Sequence, residues 1–338
     1  MNPTWKEHLT RAGAIIEADR AMHFGSPEKE LQAAQSGTIL ADLSHRGIIG
    51  IGGEDSQTFL QGQTTNDVRL AAGQAQHNSL CTPKGRMLAS FLLWRTDDGY
   101  ALQLPAELQA AIQKRLTMYV LRSKVKLRDA SEESVRFGVA GADAERLLQE
   151  TFGALPTDTL NTLDHERGTV IRLGAERFEV IASPAQGPAL WDELGKQATP
   201  AGSACWEWLE ILAGIPVILP PTQEQFTPQM VNFEMIGGVS FNKGCYTGQE
   251  IVARTQYLGK VKRRLYLAHI DSANAPQPGD EVFSGEETHG MVVNAQPAPG
   301  GGFDLLAVIP TEAADAGAVR HKTPDGPPLG ILSLPYPV

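Results

Sequence analysis

The chain has 338 residues, of which 42% are hydrophobic and 20% charged, with 29 basic against 39 acidic residues for a formal net charge of −10. That length exceeds one ordinary core and predicts two or three domains, and the composition is that of a soluble globular chain. The acidic balance disfavours a general nucleic-acid coat or a membrane-surface protein, and no apolar run approaches the roughly 20 residues that cross a bilayer. Residues 1–24 carry Glu7, Glu17 and Asp19 and lack an unbroken apolar core, so they do not read as a signal peptide. Cys81, Cys205 and Cys245 are far apart and odd in number, with no C-x-x-C pair or Cys/His cluster to suggest a metal. A reducing, cytoplasmic setting fits.

In chain order, residues 5–22 show a helical period through Trp5, Leu9, Ala12, Ile15 and Ile16, stopped by Gly25-Ser26-Pro27. An extended segment over 37–44 and a strand over 46–52 follow, then a helix over 55–60 that leads into Phe59-Leu60-Gln61-Gly62-Gln63-Thr64-Thr65-Asn66-Asp67-Val68. Thr65, Asn66 and Asp67 are residues that hydrogen-bond nearby backbone, so a capped turn is the plain reading of this cluster. Strands are predicted over 75–81, 86–95 and 100–104, an amphipathic helix over 107–119, and a half-exposed strand over 124–128. Lys114, Arg115, Arg122, Lys124, Lys126 and Arg128 form the densest basic stretch. It is either a solvated face or an electrostatic seat for an anionic tail or an RNA backbone.

Residues 135–198 read as β-α-β-β-α, a ferredoxin-like unit that ends at Pro200-Ala201-Gly202-Ser203. A helix over 206–213 stops at Gly214-Ile215-Pro216. From residue 260 six short strands between Gly/Pro turns predict a small antiparallel barrel. A second basic cluster, Lys260, Lys262, Arg263 and Arg264, opens it.

Between them lies Ser240-Phe241-Asn242-Lys243-Gly244-Cys245-Tyr246-Thr247-Gly248-Gln249-Glu250-Ile251-Val252-Ala253-Arg254. A helix is predicted to open at Gln249, which places Cys245 beside a helix N-terminus with Lys243 two residues upstream. Both would favour a thiolate, making Cys245 the candidate reactive group and Lys243 its activator. The competing reading is a buried, inert cysteine in a tight turn.

The run Lys243-Gly244-Cys245-Tyr246-Thr247-Gly248-Gln249-Glu250 resembles the K-G-C-Y-x-G-Q-E signature of the YgfZ family of folate-binding proteins, relatives of the glycine cleavage T-protein. Residues 59–68 resemble the family's second motif, and the stretches around Ala213-Gly214-Ile215-Pro216 and Pro228-Gln229-Met230 also fit its pattern. The resemblance runs from about Leu40 to the last strands. It implies an α+β, three-domain T-protein-like cloverleaf with a central folate-sized cavity, a ferredoxin-like second domain and a C-terminal small antiparallel β-barrel. Domain one would be 1–134 with 199–258, domain two 135–198, and domain three 259–338.

The resemblance implies a bound tetrahydrofolate or folate derivative, with Gln63, Asn66, Asp67, Glu210, Tyr246, Gln249, Glu250 and Arg254 as candidate binding residues. Where the T-protein carries a catalytic acid this chain has Ala89 and Ser90, neither of which relays a proton as a carboxylate does. The pterin-binding glutamate position is Leu212, with Glu210 near enough to substitute. Aminomethyl transfer is therefore not expected. The family's role implies maintenance or assembly of iron–sulfur client enzymes, including tRNA-thiolating ones, with no membrane partner and no sign of direct tRNA contact. The alternatives are a folate-dependent one-carbon transferase using Asp67, Glu210 or Glu250, and direct RNA binding through the two basic stretches.

Overall fold

The computed structural model describes every residue except Leu70, Ala71, Leu258, Lys260 and Val338, together with all side chains but those of Thr288 and His289. Lys260, counted in the second basic cluster, thus lies outside the described residues. Among them, no helix is long and apolar enough to cross a membrane.

The first large sheet is antiparallel and ordered Ala75–Cys81, Met87–Thr96, Gly99–Pro105, Arg46–Gly52, Lys126–Asp129. The helix Ala106–Met118 lays Leu108, Ile112 and Leu116 onto one face of it, the i, i+4, i+8 stripe read from the sequence. The second sheet runs Thr162–His165, Gly168–Arg172, Arg177–Ala182, Val135–Gly141, Thr38–Asp42, Thr199–Ala201. Only its last pair is parallel. Strand pairing therefore continues across the boundaries expected near residues 134 and 198. The N-terminal strand Thr38–Asp42 is buried on both faces, with Leu40 in one core and Ile39 and Ala41 in another. By pairing antiparallel with Val135–Gly141 and parallel with Thr199–Ala201, it joins the two halves.

The helix Ser203–Leu212 crosses this sheet, and the approach is close. A Cβ on Gly138 would stand 2.1 Å from the Trp206 ring, so only glycine lets the indole lie against the strand. The third sheet is antiparallel and curled, ordered Val319–His321, Glu281–Ser284, Glu287–Pro297, Phe303–Pro310, Arg263–Ile270, Gly330–Leu332. Period-two alternation splits it. Leu265, Leu267, Leu306 and Val308 face the first domain, packing with Met87, Ile211 and Phe233, while Ala268, Ile270, Leu305, Ala307 and Ile309 face a separate core.

Two expectations need correction. The helix predicted over 5–22 ends at Arg11, and the rest forms a hairpin, Ile15–Glu17 with Arg20–His23, turned by Ala18 and Asp19 in the left-handed region. Ile15 and Ile16 kept the helical period by coincidence. A helix over Pro27–Ser36 was hidden by the Gly-Ser-Pro stop signal: Ser26 is its N-cap residue and Pro27 its first helical residue, a position proline favours. The unit after Val135 also has one more strand than predicted, Thr162–His165.

Candidate functional site

On the helix Ser203–Leu212, Glu207, Glu210 and Ile211 share a face by their i, i+3, i+4 spacing. That face forms one wall of a 540 Å³ cavity. The N-terminal hairpin contributes Asp19 and Arg20, the start of the strand Arg46–Gly52 contributes Arg46 preceded by His45, and the C-terminal sheet contributes Asn294 and Gln296. Arg46 donates from Nη2 to Glu210 Oε2, and Arg20 and Gln296 both donate to Glu207 Oε2. Burial raises the Glu210 carboxyl above its ordinary range even though Arg46 and Arg177 oppose the shift. Burial and then Arg46 hold His45 well below the usual imidazole value. Arg46 Nε donates to His45 Nε2 at 3.2 Å, leaving Nδ1 to carry the proton without a partner.

Across Arg46 and Glu210 lies a narrow extension of about 50 Å³, bounded by His77, Ser90, Gln103, Arg177, Glu179 and Phe233. It is too small for a fused ring system and large enough for a few waters. Arg177 Nη1, Glu179 Oε1 and Gln103 Oε1 have no protein partner there. Burial pushes Glu179 up to about 7, and burial holds His77 down at about 4. The two cavities together touch all three parts of the fold.

Ser90 lines the extension, whereas Ala89 is buried in the core of the first sheet. The Ser90 hydroxyl donates to Pro216 O at 3.1 Å and accepts from Ile218 N at 3.0 Å. Its work is to clamp the segment after the Gly-Ile-Pro turn.

The two motifs, some 180 residues apart in sequence, meet in space. Lys243 is buried, and its Nζ donates to Thr64 O at 2.6 Å and Asn66 O at 2.7 Å while standing 5.1 Å from the centre of the Tyr246 ring. Desolvation lowers its ammonium to about 8. Asn66 ties the same region further, donating from Nδ2 to His77 O and Gly237 O, and Thr65 Oγ1 donates to Gly238 O at 2.8 Å. None of the hydrogen bonds of Lys243 reaches Cys245; its charge is committed to the two carbonyls.

Cys245 is exposed, and the helix Gln249–Tyr257 begins four residues later as predicted. Gly248 fixes the loop. Its φ is +88°, and a Cβ there would stand 2.4 Å from Thr82 O, so the loop rests directly on the Thr82–Gly85 turn. Cys81 and Cys205 are buried, and burial pushes each thiol up to about 12.

The structure does not gather the candidate residues at one point. Glu210 alone among them lines the central cavity. Lys243, Asn66 and the buried Tyr246 form the joint between the motifs. Asp67 pairs with Arg69, whose guanidinium holds the carboxyl well below the usual range. Gln63 is half-buried in its turn. Gln249 donates its backbone N–H to Tyr246 O at 3.1 Å, and Glu250 and Arg254 lie exposed on the helix. Sequence reading missed Arg46, His45, Glu207, Arg177 and Glu179. A signal was present for the last two: they share a strand face by period-two spacing within an otherwise apolar run.

A family model described as the GCVT N-terminal domain matches residues 3–243. The tRNA-modifying protein YgfZ of Pectobacterium carotovorum subsp. carotovorum (strain PC1) is 32% identical over 91% of this chain and 94% of its own. That of Enterobacter sp. (strain 638) is 34% identical over 92% of this chain and 97% of its own. The crystal structure of glycine cleavage system aminomethyltransferase T from Bartonella henselae superposes with a TM-score of 0.78 at 18% identity, covering 99% of this chain and 97% of that one. By these matches the chain has the T-protein fold and belongs to the YgfZ family.

Proposed function

We propose that this chain is a folate-binding accessory protein for the assembly or maintenance of iron–sulfur enzymes, tRNA-thiolating enzymes among them, acting through Cys245. The observation that carries the reading is the contrast among its cysteines. Two are sealed in cores, and the third is exposed on a loop clamped by Gly248 and joined through Lys243 to the second family motif. Its curated relatives are named as tRNA-modifying proteins, which supports a connection to that chemistry.

Tetrahydrofolate fits the central cavity in volume, since ligand pockets run about 300–1,000 Å³. It also fits in chemistry: the Glu207 and Glu210 carboxylates are acceptors suited to the N–H groups of a pterin, and Asn294 and Gln296 border the same space. These residues with Arg46 would hold it, and the folate would supply a one-carbon carrier. The lining acids Asp19, Glu107, Glu207 and Glu210 outnumber Arg20 and Arg46, so an anionic polyglutamate tail gains little there. Cys245 lines neither cavity, so folate and thiol act at separate places.

The test is complementation. In cells lacking the endogenous relative, the wild-type chain restores the activity of an iron–sulfur tRNA-thiolating enzyme and Cys245→Ser does not. Equal rescue by both removes the thiol from the account. One observation favours a second reading, a folate-dependent one-carbon transferase: Glu179, at about 7 beside the cavity, has the value of a general acid or base at neutral pH. Turnover of methylene-tetrahydrofolate with an acceptor, lost in Glu179→Gln, would establish it.

A further inference from the structure

The helix Ala106–Met118 ends in the most exposed apolar cluster among the described residues. Leu121 is 88% exposed, Met118 61% and Tyr119 42%. Leu121 also has φ +47°, a left-handed conformation that a branched side chain adopts only at a cost. Neither feature serves the fold, because Leu121 joins no core, whereas its neighbour Val120 packs on the first sheet. Beside Met118 a shallow groove of 450 Å³ runs along the helix past Ala110, Gln113, Lys114 and Thr117, with Asp129 at its side.

Charge distinguishes this tip from the rest of an acidic molecule. Lys124 is paired with Glu54 and Arg128 with Glu133. Lys114, Arg115, Arg122 and Lys126 have no carboxylate partner among the described residues; the first three lie within four residues of the apolar cluster, and the Arg115 guanidinium stands 6.0 Å from the centre of the Tyr119 ring. Three unneutralised cations thus surround three exposed apolar side chains on a chain of net charge −10.

We propose that this tip is a docking surface for an acidic segment of a partner protein that carries an apolar anchor. The cations steer the acidic segment, and the anchor buries Leu121 and Met118 with its end in the groove. A protein fits better than RNA. Three cations neutralise few phosphates, and Tyr119 is the one aromatic of the cluster, a stacking platform for a single base at most, whereas Leu121 and Met118 offer none. The surface is independent of what the central cavity binds.

The test uses the full chain and fluorescence anisotropy with three labelled probes: an acidic peptide containing a leucine pair, a leucine-free polyglutamate of equal charge, and an RNA hairpin. The leucine-containing peptide binds saturably and at least about tenfold more tightly than the other two. Lys114→Glu with Arg115→Glu and Arg122→Glu abolishes that binding. Leu121→Gly, which relieves the left-handed backbone, weakens binding by about tenfold while leaving Tm equal or higher. Absence of saturable peptide binding, equal affinity for polyglutamate, tighter binding of the hairpin, or a Leu121→Gly chain that binds unchanged would each overturn the proposal.

Discussion

Lys243 donates through its ammonium to the backbone carbonyl of Thr64 at 2.6 Å, joining the cysteine loop to a turn 179 residues earlier in the chain. Replacing it with methionine leaves the Thr64 and Asn66 carbonyls unpaired and costs about 1–3 kcal/mol by urea unfolding at neutral pH. The pH dependence has a definite sign. The folded-state value, about 8, lies below the ordinary 10.5, so between these values the unfolded chain binds more protons and folding gains stability as pH rises. The wild type should therefore gain on Lys243→Met between pH 8 and 10.5. A constant difference across that range would show that the ammonium is less desolvated than the geometry indicates.

The contact of Gly248 with Thr82 predicts a backbone-specific defect. Gly248→Ala forces either the loop or the Thr82–Gly85 turn to move, at a cost of more than about 1 kcal/mol. In the complementation assay it should fail alongside Cys245→Ser, though only Gly248→Ala lowers Tm. A Gly248→Ala chain with wild-type melting would mean that the loop is not clamped.

Glu179 sets a second pH dependence, opposite in sense. Its folded value of about 7 exceeds the ordinary 4.5, so its contribution is fully present below 4.5 and is lost as pH rises toward and through 7. Glu179→Gln keeps the shape and removes the titration. The change in stability of the wild type between pH 4.5 and 7 should flatten by on the order of 2 kcal/mol in the variant. An unaltered profile would place the titration elsewhere.

Most strands were legible as apolar runs bounded by glycine and proline turns, and the six strands expected after residue 260 are found. The hairpin Ile15–Glu17 with Arg20–His23 and the strands Thr162–His165 and Thr199–Ala201 were not legible. The start of the helix at Gln249 was legible from the glycine before it. The partners of Lys243 were not. Proximity along the chain pointed to Cys245, whereas the ammonium turns to carbonyls brought close only by tertiary packing. The same holds for the central cavity. Arg46 and Glu210 are separated by 164 residues, and nothing local in Arg46-Gly47-Ile48 marks the arginine as one half of a buried pair. Ala89 and Ser90 both stand at the acid positions by resemblance, but strand alternation lets only one of the two face the cavity, and that one is Ser90.

The central claim is that the hollow beside Arg46 and Glu210 holds a folate, apart from the thiol. Isothermal titration with 5-formyltetrahydrofolate tests it most directly. One site should saturate in the wild type, weaken by about tenfold or more in Glu210→Gln and Arg46→Lys, and stay unchanged in Cys245→Ser. Absence of saturable binding, or an affinity that ignores Arg46 and Glu210 and falls with Cys245, would contradict it.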